Sequence, residues 1–277
     1  MKENFRKYML AFCILVAIGA GFYMLVTYMQ RQAVRQSYEA LAQESRIDVE
    51  EVVLEPEVVE EPEVEEPEEE PEPEIPLVPI PIDFRSLQAM NPDIHGWISI
   101  PGTIVEYPIL QSQPEEWQEF YLHHTAERVP SDVGSIFTQD DNQRDFSDVV
   151  TLIYGHNMLD GSMFSELHRY LDNDFLNAHP DVTIYTPDAI LTYRIFGVIT
   201  FDNRHLMDAF DFTTDEGYQE FIDTIYGFRS FNRNWDYDVD ITPGDRLIVM
   251  STCVGMQSQR LLVTAVLIDE QPGRQPD

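Results

Sequence analysis

The chain has 277 residues, of which 50 are acidic and 17 are basic, so its net charge is −33 at neutral pH. An acidic chain without clusters of arginine or lysine excludes a nucleic acid as the expected partner, because contacts with phosphates need basic side chains. No internal repeat is visible, and the part after residue 82 is long enough for one domain with one hydrophobic core.

Residues 8–29 are the first predicted element, because this stretch contains no charged side chain. A helix of this length crosses a hydrocarbon core about 30 Å thick. Lys2, Arg6 and Lys7 precede it, so the positive-inside rule predicts that residues 1–7 stay in the cytoplasm. A cleaved signal peptide is the alternative, but the apolar run is longer than such a peptide needs. We therefore predict a single-pass signal anchor in the cell membrane, with the rest of the chain extracellular.

Residues 30–82 are predicted to be a juxtamembrane segment and an acidic stalk. Between residues 48 and 74 the chain has fourteen glutamates, one aspartate, several prolines and no basic residue. Such a segment buries too little apolar surface to offset its conformational entropy, so we expect it to be disordered and extended. It would hold a domain away from the membrane; the alternative is a solvated tether of no specific length. Because Lys2 and Lys7 are the only lysines, a catalytic lysine is excluded outside the membrane.

The domain predicted for residues 83–270, followed by a tail at 271–277, consists mainly of strands. It begins with a short helix at 83–90, which ends before a proline. Runs rich in Val, Ile, Tyr and Thr predict eight strands, at 96–100, 103–110, 134–137, 149–154, 182–186, 190–201, 246–251 and 261–268. Further helices are predicted at 114–123, 163–170 and 215–228. This pattern favours a mostly antiparallel β-barrel with helices as insertions.

The connection at residues 202–245 is unusually long and contains the helix predicted at 215–228. Its apolar stripe predicts that the helix packs against the sheet, and the stripe consists of Phe221, Ile222, Ile225 and Phe228. Connections of this length are often binding loops, so covering a substrate groove is a second hypothesis for the same helix.

Cys253 ends the apolar run that contains the strand predicted at 246–251, and the other cysteine, Cys13, lies in the predicted membrane segment. A thiol, a histidine and an arginine at strand ends are typical of a nucleophilic site. His156 follows the strand at 149–154, and Arg260 comes seven residues after Cys253, which predicts that cysteine and arginine are adjacent in a hairpin. From the residues alone, alternatives remain: a buried structural cysteine, another of the seven histidines, and a surface arginine paired with a carboxylate.

In chain order, the segment around His156, then Ser251-Thr252-Cys253, then Arg260 resembles the catalytic signature of sortases, membrane-anchored cysteine transpeptidases of Gram-positive bacteria. The segments that resemble class B sortases in particular are 91–103, 107–111, 120–124, 134–140 and 154–158. The resemblance spans residues 83–269. It implies a mostly β fold, the eight-stranded sortase barrel, with an N-terminal helix and a helix-bearing insertion before the strand that carries Cys253.

The resemblance also implies a role for each site residue. Cys253 would attack a backbone carbonyl of a sorting-signal peptide and form a thioacyl enzyme. His156 would protonate the leaving amine, and Arg260 would bind the carbonyl and the developing oxyanion. Four further residues flank these three in the sequence and are expected either to contact the substrate or to serve packing or turn formation: Tyr154, Asn157, Ser251 and Thr252. The expected partners are surface proteins with sorting signals, of the Asn-Pro-x-Thr type in many class B relatives, and an amine acceptor such as a peptidoglycan precursor.

Two other functions stay open. A cysteine peptidase or amidase would hydrolyse wall or surface peptides with the same residues and water as acceptor. A non-catalytic stalked binding domain would predict the loss of a site residue, and all three are present. No cofactor and no metal site are predicted, because the histidines lack zinc-site spacing. The acidic stretches at 140–142 and 172–174 are more simply explained as turns than as calcium ligands.

Overall fold

A computed structural model describes residues 2–48, 77–113, 119–202, 204–229, 233–236, 238–254 and 259–275. Most of the predicted acidic stalk, at residues 49–76, lies outside these ranges, and so does the start of the helix predicted at 114–123. The chain forms two compact units, Met1–Leu41 and Ala42–Asp277.

The first unit is formed by helix α1, which spans Lys2–Glu44. By length and composition the helix is able to cross a membrane, which is consistent with the predicted anchor. It continues past the apolar stretch that ends at Met29, because residues 30–44 are mostly good helix formers. One pair on this polar part, Arg35 and Glu39, lies one turn apart with nitrogen and oxygen separated by 2.8 Å.

The second unit is a closed β-barrel of eight strands. In chain order the ten strands assigned within the described residues are β1 Val78–Pro79, β2 Ile94–Ser99, β3 Glu106–Leu110, β4 Ile136–Thr138, β5 Val150–Tyr154, β6 Asp181–Tyr185, β7 Ala189–Asp202, β8 Arg233–Trp235, β9 Leu247–Cys253 and β10 Gln259–Arg274. The barrel order is β10-β9-β5-β4-β3-β2-β6-β7, and β7 pairs with β10 to close it. Only the β5–β9 and β3–β4 pairs in this ring are parallel, so the predicted, mostly antiparallel barrel is confirmed.

The second unit also contains four α-helices within the described residues. They are α2 Phe84–Met90, α3 Asn173–Ala178, α4 Leu206–Ala209 and α5 Asp215–Gly227. The helix predicted at 163–170 is a 3₁₀ helix, Ser165–Leu171, followed by α3, which the sequence did not predict. Asp172 caps α3 by accepting a hydrogen bond from the Phe175 amide at 3.0 Å, so this acidic turn is explained by helix capping. Within the described part of the segment predicted as a helix at 114–123, the structure has a 3₁₀ turn, Phe120–Leu122.

Helix α5 packs on the outer face of the barrel. Its buried Phe221 and Ile225 share one apolar cluster with Leu247 and Val249 of β9. Successive side chains of a strand point to opposite faces, so the intervening Ile248 of β9 faces the barrel interior. Strand β9 is therefore covered on both faces, which explains why its sequence is a continuous apolar run. The predicted packing of this helix against the sheet is confirmed.

Hydrogen bonds join the residues that precede the acidic segment to those that follow it. The Ile47 amide donates to the Pro81 carbonyl at 2.9 Å, and the Asp83 amide donates to the Ser45 carbonyl at 2.8 Å. Between them Arg46 bridges to Glu106 of β3 at 2.8 Å. The folded unit thus begins before residue 83, the boundary predicted from sequence, and residues on both sides of the acidic segment belong to it.

The C-terminal boundary also differs from the sequence-based prediction. Strand β10 continues through Arg274, and its last residues pair in parallel with β1. Residues 271–274, predicted as part of a tail, are therefore strand. The reason is the same at both ends: backbone pairing holds these segments, and backbone hydrogen bonds leave no side-chain signal in the sequence.

Candidate active site

Cys253 and Arg260 lie opposite each other on neighbouring strands. Cys253 is the last residue of β9, and the β9–β10 register pairs it directly with Arg260. Directly opposed residues of an antiparallel pair have Cα atoms about 4.5–5.5 Å apart, with side chains on the same face. Cys253 is half-buried, so its sulfur is not sealed in the barrel. The structure therefore brings these two predicted site residues together.

His156 reaches the same place from the parallel strand β5. Tyr154 pairs with Ser251 at the end of the β5–β9 ladder, and the Gly155 amide extends the pairing to the Ser251 carbonyl at 3.2 Å. Two residues further along each strand, this register leads to His156 on one side and Cys253 on the other. The side chain of Asn157 closes the arrangement by donating to the Cys253 carbonyl at 2.8 Å.

The imidazole of His156 is held by a backbone carbonyl. Its Nε2 lies 2.7 Å from the Leu122 carbonyl oxygen, and because a carbonyl only accepts, Nε2 carries a proton. In the neutral ring the lone pair is then on Nδ1. Burial lowers the pKa of His156, and the positive charges of His123 and Arg260 lower it further. The hydrogen bond to Leu122 and the negative charge of Asp132 raise it in part. The neutral ring is favoured, and Nδ1 is its basic atom.

These side chains line one cavity of about 360 Å³. Of the flanking residues predicted from sequence, Tyr154, Ser251 and Thr252 line it, while Asn157 bonds to the backbone carbonyl of Cys253. Burial raises the pKa of Tyr154, and the positive charge of Arg260 opposes that shift only in part. The phenol therefore keeps its proton and remains able to donate a hydrogen bond.

The sequence did not predict part of the cavity wall. Residues 204–206, which follow β7 and end with the first residue of α4, line it together with Gln139, which follows β4. The His205 Nε2 and the Gln139 Oε1 lie 3.1 Å apart, so the inserted segment is bonded to the barrel rim. His205 was one of seven histidines, and Gln139 lay within a motif that carried the resemblance, but neither had a signal of its own. Helix α5, for which covering a substrate groove was the second hypothesis, packs on the sheet. Within the described part of the insertion, the residues that line the cavity come before this helix in the chain.

Within the described residues, no group of three or more His, Cys, Asp or Glu side chains is arranged to hold a metal ion. The arrangement instead combines a thiol, an imidazole with a basic Nδ1 and a guanidinium around one pocket. Such a set can carry out nucleophilic attack, proton transfer and oxyanion binding on an acyl group.

Comparisons with known proteins agree with this geometry. The family model of the sortase domain matches residues 98–268. Sortase B of Listeria monocytogenes is 38% identical over 173 residues, which cover 62% of this chain and 67% of that protein. Sortase B of Staphylococcus aureus is 31% identical over 188 residues, covering 67% and 74% of the two chains.

Solved structures give the same result for the fold. The crystal structure of Clostridium perfringens sortase B superposes with a TM-score of 0.60 at 28% identity, covering 67% of this chain and all of that one. The Staphylococcus aureus sortase B–substrate complex gives a TM-score of 0.59 at 30% identity, covering 68% and 85%. Because the family model spans more than half of the chain and the most similar relatives named are class B enzymes, this chain belongs to the sortase family, as a class B cysteine transpeptidase.

Proposed function

We propose that the chain attaches surface proteins to the cell wall through a thioacyl intermediate on Cys253. Membership of the sortase family gives the general activity, cell-wall sorting by transpeptidation. The observation that supports the residue assignment is the register: Cys253 stands opposite Arg260 on β10 and beside the His156 end of β5, around one cavity.

In the first half of the reaction, the Cys253 thiolate attacks a backbone carbonyl of the sorting signal. The positive Arg260 guanidinium, with its planar donors, stabilises the oxyanion. As the C–N bond breaks, the protonated Nδ1 of His156 donates its proton to the leaving amine, and the acyl group stays on sulfur. Because burial favours the neutral ring, only a fraction of His156 is in the donating form at neutral pH.

In the second half, an amine attacks the thioester carbonyl. Neutral His156 accepts a proton from this amine at Nδ1 while the C–S bond breaks, which restores the Cys253 thiolate. Over the full cycle His156 gives up one proton and takes one back, and the acyl group passes from the peptide to the acceptor amine. We propose a cell-wall precursor amine as acceptor and an Asn-Pro-x-Thr-type peptide as donor, on the basis of the family resemblance.

The test uses the full-length chain in detergent, a set of sorting-type peptides and an added amine. Mass spectrometry should detect a thioacyl adduct on Cys253 and an amide product. Cys253→Ala should form neither, and Arg260→Ala should lose more activity than Arg260→Lys, which keeps the charge. An amide product that persists in Cys253→Ala would refute the proposal, and hydrolysis with every amine tried would favour a peptidase.

We also propose that α1 anchors the chain with residues 1–7 in the cytoplasm and Cys253 outside. The motivation is the basic flank of the apolar helix. A membrane-impermeant maleimide should label intact cells expressing the natural chain and leave the Cys253→Ala variant unlabelled. Labelling that appears only after the cells are broken would contradict this topology.

A further inference from the structure

Asp93 is a buried carboxylate outside the active-site cavity. It is not among the described residues that line this cavity. Asp93 is 1% exposed in its side chain. Its oxygens accept hydrogen bonds from the Tyr121 hydroxyl, the Arg128 guanidinium and the Gln113 amide. A carboxylate is costly to bury unless it is paired and hydrogen-bonded, and here three groups meet that need. We call Asp93, Tyr121 and Arg128 the Asp93 cluster.

The Asp93 cluster fixes the residue next to Leu122, whose carbonyl holds His156. Tyr121 is fully buried, and its hydroxyl also accepts hydrogen bonds from Asn91 at 2.9 Å and from Arg128 at 3.1 Å. Burial raises the pKa of Tyr121, so the hydroxyl keeps its proton and donates to Asp93 at all physiological pH values. A side chain held by three partners leaves the backbone of Tyr121 and Leu122 little freedom.

The Leu122 carbonyl is also confined from the other side. Gly134 has a φ of +62°, and a Cβ built there would lie 2.6 Å from the Leu122 oxygen. The adjacent Ser135 amide donates to the Tyr121 carbonyl at 2.9 Å. Only a glycine allows this close approach together with this backbone conformation. The carbonyl is thus held between the Asp93 cluster and the chain at Gly134, with the imidazole of His156 as its hydrogen-bond donor.

We propose that the Asp93 cluster is a positioning device that holds the Leu122 carbonyl in place and so keeps the fixed proton of His156 on Nε2. Nδ1 then remains the atom that exchanges protons with the reacting groups. The inference rests on the proposed role of His156. It assigns a reaction-related role to three residues that do not touch the substrate cavity.

The test compares the full-length natural chain with Tyr121→Phe, which removes the hydroxyl and keeps the ring. With ¹⁵N-labelled histidine in detergent, the natural chain should show His156 as the Nε2–H tautomer, with the signal assigned by its loss in His156→Gln. In Tyr121→Phe the Nδ1–H tautomer should appear. The pKa of His156 should fall, because the hydrogen bond to Leu122 raises it against burial.

The same variant should lose about 10- to 100-fold in kcat/KM, the cost of misplacing a catalytic group by about 1 Å. The limb of the pH profile that reports His156 should shift to lower pH. Tyr170→Phe is the matched control, because Tyr170 is equally buried and its hydroxyl donates to the His179 carbonyl at 3.0 Å, away from Leu122. This control should leave the tautomer, the pH profile and kcat/KM unchanged.

If Tyr121→Phe does not fold, Asp93→Asn, which keeps the shape and removes the charge, takes its place with the same expected shifts. An unchanged tautomer and an unchanged pH limb in a folded variant would overturn the inference, even if stability or kcat/KM fell. The NMR readout does not depend on turnover. If the natural chain shows no transpeptidation but Tyr121→Phe still shifts the tautomer, the proposed function is overturned while the positioning of the His156 ring by the Asp93 cluster is supported.

Discussion

Asn157 joins the two strand ends that carry the proposed acid and nucleophile. Its Nδ2 donates to the Cys253 carbonyl at 2.8 Å, and it directly follows His156 in the chain. Asn157→Ala removes this donor from an exposed position, and an ordinary hydrogen bond contributes about 0.5–1.5 kcal/mol. If the bond favours the productive arrangement of the site, kcat/KM should fall by about 2- to 12-fold.

Asn157→Asp separates hydrogen bonding from shape. The aspartate side chain fills the same volume, but its oxygens only accept, and they would face the Cys253 carbonyl oxygen. The hydrogen bond is then lost, and repulsion between the carboxylate and the carbonyl oxygen is added. We expect the aspartate variant to lose more than 10-fold in kcat/KM and thus to be less active than the alanine variant.

The assay is the chromatographic rate of amide formation at several peptide concentrations, with the free energy of unfolding in urea measured in parallel. Asn173→Asp is the control, because Asn173 is exposed in α3 and the same substitution there should leave the rate unchanged. If Asn157→Asp were as active as Asn157→Ala, the reasoning from donor and acceptor would be refuted. Full activity in both would show that the Asn157 bond does not support the site.

Three further predictions concern the fold, each checked by urea unfolding. Replacing residues 49–76 by about eight Gly and Ser residues should keep the domain folded and raise the free energy of unfolding by about 1 kcal/mol, because a shorter loop costs less to close. A loss of folding would contradict the contact between the flanking residues Ile47 and Pro81. Ile225→Ala should lower the free energy of unfolding by about 2–5 kcal/mol, with kcat/KM of the folded protein unchanged, since this buried residue packs α5 on the sheet. Burial lowers the pKa of His95 from 6.5 to about 4. As pH drops, the unfolded chain therefore binds a proton at His95 before the folded chain does, and the free energy of unfolding should fall by about 2 kcal/mol from pH 7 to pH 5. His95→Gln should remove this share of the pH dependence, and an unchanged slope would contradict it.

Much of the fold was predictable because local patterns agree with it. All eight predicted strands correspond to barrel strands, since each is a run of β-branched and aromatic residues between turn residues. The stripe of α5 predicted its packing for the same reason. The predicted helix at 163–170 differed in type, because its periodicity also fits a 3₁₀ helix followed by α3, and only the Asp172 cap divides the two.

The site was predictable in part. Cys253 and Arg260 are seven residues apart, so a hairpin brings them together, and sequence spacing alone indicated it. His156 is almost a hundred residues from Cys253, and no local pattern selects it from seven histidines; the resemblance did so. The Leu122 carbonyl is a backbone group and carries no side-chain signal at all.

By itself, the sequence determined the apolar N-terminal helix, the acidic segment, the strands and the thiol–guanidinium pair, because each depends on residues close together in the chain. Tertiary structure alone decided three things. The parallel β5–β9 register brings His156 beside Cys253, and backbone bonds at Ser45 and Ile47 join the residues on either side of the acidic segment. Finally, the Asp93 cluster binds the side chain of Tyr121, the residue next to Leu122, whose carbonyl holds the imidazole. All three are contacts between distant parts of the chain, fixed by strand order, register and burial rather than by any local preference.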